Sequence, residues 1–494
     1  MAVPATATGS VLERNNHPSR DGLFVQPQIT KCAAKAAAKT KDAAFTANLT
    51  GATNGNMYAS PLYLENGPGG TGAFFAVTIG NDVFALDETT GAVLWKANIG
   101  GAPSNNGSGC GNVAPLGILS TPVIDGTAKK IYVAGAIGTT STMRHELHAI
   151  STDDGTDEMT GGWPVDVTKV TSGSIAFNAA TTAQNQRGAL SLVGGTIYVP
   201  YGGHAGDCGK YHGWVVGIKA SDPTMIGAWA TGGIGEGIWC AGGMASDGTG
   251  VFAATGNDLT RMTTHIDSEE VVRVTGLGVL DKTSAQNYFY PLRWMTMDGL
   301  GGNGNDYDLG SVNPIYVEVD SATTYVVQIA KDGHLYILDS KNLGGMGGQK
   351  VDFVVASEGM SIHTVPAAYK TAMGLHVVFT TDAGAMCPTG GPSGKVVMSV
   401  LIPTGASPKP TVSWCATLGS PVTAPIATTT DGTNESIVWY MSSGKLLGVD
   451  GDTGANIYTS TDTCSGVRQW TSPIAVKGRI IVGGDTHLCS WTVH

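Results

Sequence analysis

The chain has 494 residues, of which 71 are glycine and only 14% are charged, a composition of many tight turns and few long solvated helices. Its net charge of −11 (28 basic, 39 acidic) is spread without a basic stripe, which argues against a nucleic-acid partner. No apolar run approaches the roughly 20 residues a helix needs to span a bilayer.

The eight cysteines suggest an oxidising compartment, and the absence of C-x-x-C and C-x-x-C-H speaks against a zinc ribbon or an attached haem. The start Met1-Ala2-Val3-Pro4 lacks a charged, apolar leader and reads as a mature N-terminus behind an added Met. Asn48-Leu-Thr, Asn106-Gly-Ser and Asn434-Glu-Ser match glycosylation sequons.

Residues 1–42 are polar and predict an irregular arm, with a helix-compatible Ala/Lys run over Cys32–Ala44. Ala43–Gly51 reads as one lone strand. A repeat then begins. Eight short opening strands marked by Pro or Gly follow: Ser60-Pro61, Thr121-Pro122, Gly188-Ala189, Gly243-Met244, Asn313-Pro314, Val365-Pro366, Ala424-Pro425 and Ser472-Pro473. Each leads into an apolar strand such as Ile131-Tyr132-Val133-Ala134 or Ile197-Tyr198-Val199-Pro200, then into a hairpin. The clearest hairpin is Val83–Trp95, where Phe84 and Leu86 alternate with small residues and Asp87–Gly91 has turn chemistry. Trp95, Trp163, Trp229, Trp294 and Trp414 fall at the ends of their units, where a large flat ring can cover the neighbouring unit.

Units of roughly 50–70 residues with four short strands cannot bury their faces alone, so they predict propeller blades. The fold class is therefore all-β, an eight-bladed propeller over residues 43–494; a row of separate sandwiches is the alternative. The eighth unit runs out at Trp491–His494 after three strands, and the lone strand at Ala43–Gly51 would supply the fourth and close the ring.

The pattern Ala85-Leu86-Asp87-x-x-Thr90-Gly91-x-x-x-Trp95 resembles the tryptophan-docking motif of the pyrroloquinoline quinone (PQQ) repeat, and the resemblance covers about residues 45–494. The same repeat builds alcohol dehydrogenases and non-catalytic scaffolds. Asp308-Leu-Gly-Ser-Val-Asn313 is similar to the dehydrogenases' Asp-Tyr-Ala-Gly-x-Asn. This implies Asp308 as catalytic base and Asn313 as a cofactor contact. Lys331-Asp-Gly-His-Leu-Tyr-Ile-Leu-Asp339 resembles the segment whose leading Lys or Arg contacts the quinone carbonyls. Thr255-Gly256-Asn257 resembles the Thr-Gly-Asn whose Asn ligates calcium, and Trp239 stands roughly where the family stacks a Trp on the quinone. Asp207 falls near the calcium-binding Glu. The resemblance thus implies Ca²⁺ on Asp207, Asn257 and Asp308, and PQQ against Trp239, Lys331, Asn313, Arg187 and Cys110. One departure stands out: Cys110-Gly111 occupies the place of an adjacent cysteine pair, so only one sulfur is present there.

Read on their own, the residues tell a compatible story. A propeller axis gathers blade loops into one funnel. The Tyr201–Trp214 loop carries His204, Asp207, Cys208, Lys210 and His212, and Asn303–Asp308 carries two carboxylates among glycines. With Arg187, Glu269, Glu270 and His363 they predict a cleft of both charge signs, with oxygen donors suited to a hard cation. Each also has a structural alternative: Asp306-x-Asp308 and Lys331-Asp-Gly as turns, Trp239 as core, His204 and His212 as solvated or transition-metal ligands. Two of Cys110, Cys208 and Cys240 are expected to pair, as are Cys464 and Cys489.

Three functions follow. The first is a secreted or periplasmic dehydrogenase oxidising an alcohol or carbohydrate hydroxyl with PQQ and Ca²⁺ and passing electrons to a separate acceptor. The second is a non-catalytic binding or scaffold propeller. The third is a polysaccharide-active enzyme, cofactor-free or metal-dependent, using His204, His212, Asp308 and Lys331.

Overall fold

The computed structural model describes residues 9–107, 109–299, 306–359, 362–405, 408–419, 426–433 and 435–494, with the side chain of Ala179 left aside. The start at Met1, Ser108 of one sequon, Asn303, Asn305, the opening pair Ala424-Pro425 and the Asn434 sequon lie outside the described residues.

Eight four-stranded antiparallel units follow one another around a ring. The first is typical. Leu62–Leu64, Ala73–Val77, Asp82–Asp87 and Val93–Asn98 pair in sequence order. The inner strands are almost wholly buried, because both faces lie against neighbouring blades, while the outer strand is largely exposed. This burial gradient explains why the inner strands read as continuous apolar runs and only the outer ones alternate. The ring closes as the sequence predicts: Ala47–Asn48 completes the eighth blade by pairing antiparallel with His487–Thr492, Ala47 opposite Leu488 and Asn48 opposite His487.

Tryptophan docking recurs unevenly. Trp95 donates from Nε1 to the Thr152 carbonyl of the second blade at 3.0 Å, and Trp414 donates to the Gly451 carbonyl of the seventh at 2.8 Å. Gly155 and Gly454 lie under these rings in left-handed conformation (φ 76° and 71°), and a Cβ at either would sit 2.7 Å from the indole. Glycine is required there twice over. Trp294 departs from this register: the fourth blade's outer strand, Tyr288–Tyr290, ends before Pro291, and Trp294 opens the short helix Trp294–Met297 with its ring edge-on to His265.

The helix expected over Cys32–Ala44 is confined to Lys31–Ala36, capped by Thr30, whose side chain accepts from the Ala33 N–H. Upstream of it, the N-terminal arm touches every blade. Val11 bridges to Tyr63, Ile124 N–H donates to Leu12 O, and Arg20 donates to Leu190 O. The backbone N–H groups of Ser246, Tyr316, Ala368 and Thr428 donate to Pro18, Ser19, Asp21 and Gly22, and Gly478 donates to the Gln26 side chain. Leu23–Val25 adds a parallel fifth strand to the seventh blade. Because the arm meets mainly the innermost strands, it lies along the propeller axis.

Three disulfides are formed. Cys464–Cys489 and Cys110–Cys208 match the expected pairings, and Cys387–Cys415 within the sixth blade is additional. Cys240 is a buried free thiol and Cys32 an exposed one. Among the described residues no helix is long and apolar enough to cross a membrane.

Candidate functional site

The segments just before each opening strand and just after each second strand meet at the axis. In the third to fifth blades these segments carry the polar residues, and they enclose a cavity of about 220 Å³. Arg187, Asp207, Trp239, Asn257, Asp308 and Lys331 all line it, together with His204, Tyr211, Asp306 and Leu259. Residues from 187 to 331 thus share one mouth, as the blade repeat predicts.

Asp308 is the centre. It is 4% exposed and caps a short 3₁₀ turn, Oδ1 accepting from the Gly310 N–H at 2.9 Å. Its Oδ2 accepts from Trp239 Nε1 at 2.7 Å and lies 3.5 Å from Lys331 Nζ. Burial pushes the carboxyl up, against the pull of Lys331, to about 6. Gly256 makes room for it: a Cβ there would come within 2.6 Å of Asp308 Oδ1. Burial works to lower the Lys331 ammonium, but Asp308 and Asp306, the latter at 2.8 Å, outweigh it and hold the charge.

Trp239 forms the aromatic wall. Arg187 lies over it with its guanidinium carbon 5.1 Å from the ring centroid, and Lys331 Nζ lies at the same distance. Trp470 stands edge-on to Trp239 at 6.1 Å and also carries Arg187, at 5.2 Å. The Trp470 carbonyl accepts from Arg14 of the arm, so the arm underlies this end of the site. Trp470 escaped the sequence reading. Its signal was there: it stands just before the opening strand of the eighth blade, as Trp239 stands before that of the fourth.

Asn257 donates to the Met297 carbonyl at 3.2 Å, leaving its amide oxygen for another partner. Asp207 is exposed, sits at φ 52° and accepts from Tyr211 OH at 2.6 Å. Among the described residues, the only trio of His, Cys, Asp or Glu with ligand atoms within 4.8 Å of one another is Cys464, His487 and Cys489, and its two sulfurs are bonded to each other. A hard cation at the axis would therefore draw on the Asn257 amide oxygen as well as carboxylates.

Other expected residues lie apart from the cavity wall. Asn313 is buried beside Cys240, whose thiol is 3.7 Å from its Oδ1. Glu269 is fully buried and accepts from the Leu309 N–H at 2.5 Å; burial holds it protonated well above the ordinary carboxyl range. Glu270 pairs with Lys282 at 2.6 Å. His363 lies 3.9 Å from Asp382 and His212 bonds the Thr231 carbonyl, so His212 and His204 do not form a pair at the cavity.

Cys110 reaches the site through its disulfide. Cys110–Cys208 joins the loop before the second blade to the 204–211 loop that carries Asp207, and a Cβ at Gly206 would lie 3.2 Å from Cys110 Sγ. Neither sulfur lines the cavity itself; the bridge ties down the loop whose Gly206 and Asp207 do. Cys208→Ser is expected to cost about 2–4 kcal/mol, read as a lower urea midpoint under non-reducing conditions.

No family model matches the chain, and no curated protein matches it in sequence. Solved structures do match. Quinohemoprotein alcohol dehydrogenase from Comamonas testosteroni aligns at 15% identity over 99% of this chain and 81% of that one, with a TM-score of 0.64. Quinohemoprotein alcohol dehydrogenase ADHIIG from Pseudomonas putida HK5 aligns at 13% identity over the same shares, with a TM-score of 0.68. A europium-containing methanol dehydrogenase aligns at 16% identity over 97% and 90%, with a TM-score of 0.61. At these identities the likeness is one of architecture: the chain, an eight-bladed propeller, shares the fold of these dehydrogenases over nearly its whole length.

Proposed function

We propose that this protein is a quinoprotein-type oxidoreductase that oxidises an alcohol or carbohydrate hydroxyl at the axial cavity. The observation that carries this reading is Asp308: a buried carboxylate, oriented by Trp239 and Lys331, beside a cavity with a second cation in Arg187.

The donor set fits an anionic aromatic cofactor and a hard cation. Arg187 and Lys331 offer positive charge to carboxylates and carbonyls, Trp239 offers a flat wall, and Asp308, Asn257 and Asp207 offer oxygens. Bound PQQ would supply the two-electron acceptor, and Ca²⁺ would polarise it. The chain's own part is to orient the substrate and to take the hydroxyl proton on Asp308. The cavity, about 220 Å³, is smaller than the roughly 300–1,000 Å³ of sites for drug-sized ligands. Electrons would pass to a separate acceptor. The three disulfides support a secreted or periplasmic location.

The test is dye reduction by the purified protein supplied with PQQ and Ca²⁺, over a panel of alcohols and sugars. Asp308 must be a carboxylate to accept a proton, so turnover should fall as pH drops through about 6. Calcium beside it favours the charged form, so raising calcium should shift that fall toward lower pH. A rate independent of pH between about 5 and about 7, roughly one unit either side of the expected pKa, would remove Asp308 as base.

A second reading has its own support. Lys331 is already paired with Asp306 and Asp308, and Arg187 lies against two indoles, so the site's charges are satisfied from within. That suits a non-catalytic binding propeller, which would show neither quinone binding nor dye reduction.

A further inference from the structure

Tyr211 sits in a slot shaped to its ring. A Cβ on Gly203 would lie 2.3 Å from the Tyr211 Cε1, and one on Gly237 would lie 3.1 Å from its Cε2, so both flanking residues lack a side chain where the ring passes. Tyr211 is 4% exposed, and its carbonyl accepts from the Gly235 N–H at 2.8 Å. Its neighbour His212 bonds the Thr231 carbonyl at 2.8 Å, and the Gly213 N–H donates to Thr231 Oγ1 at 3.0 Å. Residues 211–213 are thus fastened to the frame of the third blade.

Asp207 stands on different ground. Ala205, Gly206 and Asp207 are exposed, as are Gly209 and Lys210. Asp207 also holds a left-handed backbone (φ 52°), a conformation unfavourable for a residue with a Cβ, which persists only where the surroundings impose it. Two ties impose it here. Cys208, next along the chain, is bonded to Cys110, and the Tyr211 hydroxyl donates to Asp207 Oδ1 at 2.6 Å. Among the described residues no other side chain bonds that carboxylate, so Oδ2 keeps its capacity for a ligand. Burial and the Asp207, Asp308 and Asp306 carboxylates push the Tyr211 phenol well above its ordinary range, so it stays an O–H donor. Both Tyr211 and Asp207 line the axial cavity.

We propose that Tyr211 is a positioning residue for the axial cation: its hydroxyl holds Asp207 Oδ1, and so presents Oδ2 to the cavity as a ligand for a hard divalent ion. This rests on the reading of Asp207 as a calcium ligand given above. An exposed carboxylate samples several rotamers, and ordering it on binding weakens affinity; a donor locked in a slot selects one rotamer beforehand. Carboxylates that ligate metals are themselves hydrogen-bonded, and loss of such a partner weakens metal affinity by about 10–100-fold. Tyr211→Phe deletes only the hydroxyl. The ring keeps its slot, and the released Asp207 oxygen meets water, so the fold should be undisturbed.

The test uses the full-length protein, oxidised, stripped with a chelator and titrated without quinone. Ca²⁺ is followed by calorimetry, and Tb³⁺, a hard oxygen-seeking surrogate, by its luminescence. Wild type should bind one equivalent, Asp207→Asn should bind at least about tenfold more weakly, and Tyr211→Phe about 10–100-fold more weakly with an unchanged thermal transition. The double variant should be no weaker than the weaker single one, because the hydroxyl acts through Asp207; losses that add would overturn the proposal. Binding that Asp207→Asn weakens and Tyr211→Phe leaves unchanged overturns this inference alone. No binding by wild type, or binding indifferent to Asp207→Asn, removes the calcium assignment of Asp207 and this inference with it. Should Tyr211→Phe fail to fold, anomalous scattering from wild-type crystals with Tb³⁺ decides. An ion on Asp207 Oδ2 with Tyr211 still bonded to Oδ1 supports the proposal, and an Asp207 swung off Tyr211 refutes it.

Discussion

Asp308→Asn is expected to lower kcat of quinone-dependent dye reduction by about 10²–10⁴-fold, the usual contribution of a positioned general base. Asparagine keeps the shape. Its side-chain oxygen can still accept from Trp239 Nε1, which now lies 2.7 Å from Oδ2, so the indole should stay in place. What disappears is the ability to take a proton and the charge that Lys331 faces at 3.5 Å. Quinone affinity should change little, because Arg187 and Lys331 are retained. Steady-state kinetics beside an absorbance titration separates the two effects. Turnover within threefold of wild type would refute the assigned role; lost quinone binding would place Asp308 in the binding set instead.

The second large effect lies in the arm. Arg20 is 0% exposed, and its guanidinium is fully engaged. It donates to Glu13 at 2.8 Å, to the carbonyls of Arg14, Leu190 and Met244, and to Ser191 Oγ. Three of those partners, Leu190, Ser191 and Met244, open the third and fourth blades, so the arm is tied to blades that build the cavity. Arg20→Met should cost about 3–5 kcal/mol, since it leaves Glu13 and several carbonyls buried without a donor. Burial already pushes the Glu13 carboxyl up, with Arg20 opposing, and removal of Arg20 takes away the opposition. A buried acid with a raised folded-state pKa loses stability as pH rises, so the deficit should be larger at pH 8 than at pH 5. Urea midpoints at the two pH values read both the size and the sign.

The architecture was legible because its signals repeat. Pro- and Gly-marked opening strands recur in all eight blades, and the missing fourth strand of the last one pointed to Ala43–Gly51. What could not be read depends on the third dimension. Arg14 and Arg20 sit in a polar stretch that looks solvated, and only the fold shows the blades bonding to it, through backbone N–H groups that donate to its carbonyls and carbonyls that accept from its arginines. Trp294 shares the spacing of a docking tryptophan, but its blade ends early at Tyr290. At the site, residues at blade-loop positions converged as expected, which is why Arg187, Asp207, Trp239, Asn257, Asp308 and Lys331 meet. Glu269, Glu270 and His363 have the same residue chemistry, but their side chains turn toward Leu309, Lys282 and Asp382. The direction in which a side chain points from a loop has no periodicity to betray it. The Cys110–Cys208 bridge shows the opposite case: with three axial cysteines the pairing was open in sequence, and loop geometry decided it.

The central claim is that the axial cavity takes one anionic quinone between Trp239, Arg187 and Lys331. Titration of PQQ into the purified protein with calcium, followed by absorbance, tests it directly. The account predicts a saturable change at one equivalent, weakened at least tenfold by Lys331→Ala or Arg187→Ala while the thermal transition is preserved. An unchanged quinone spectrum in the presence of folded protein would contradict it.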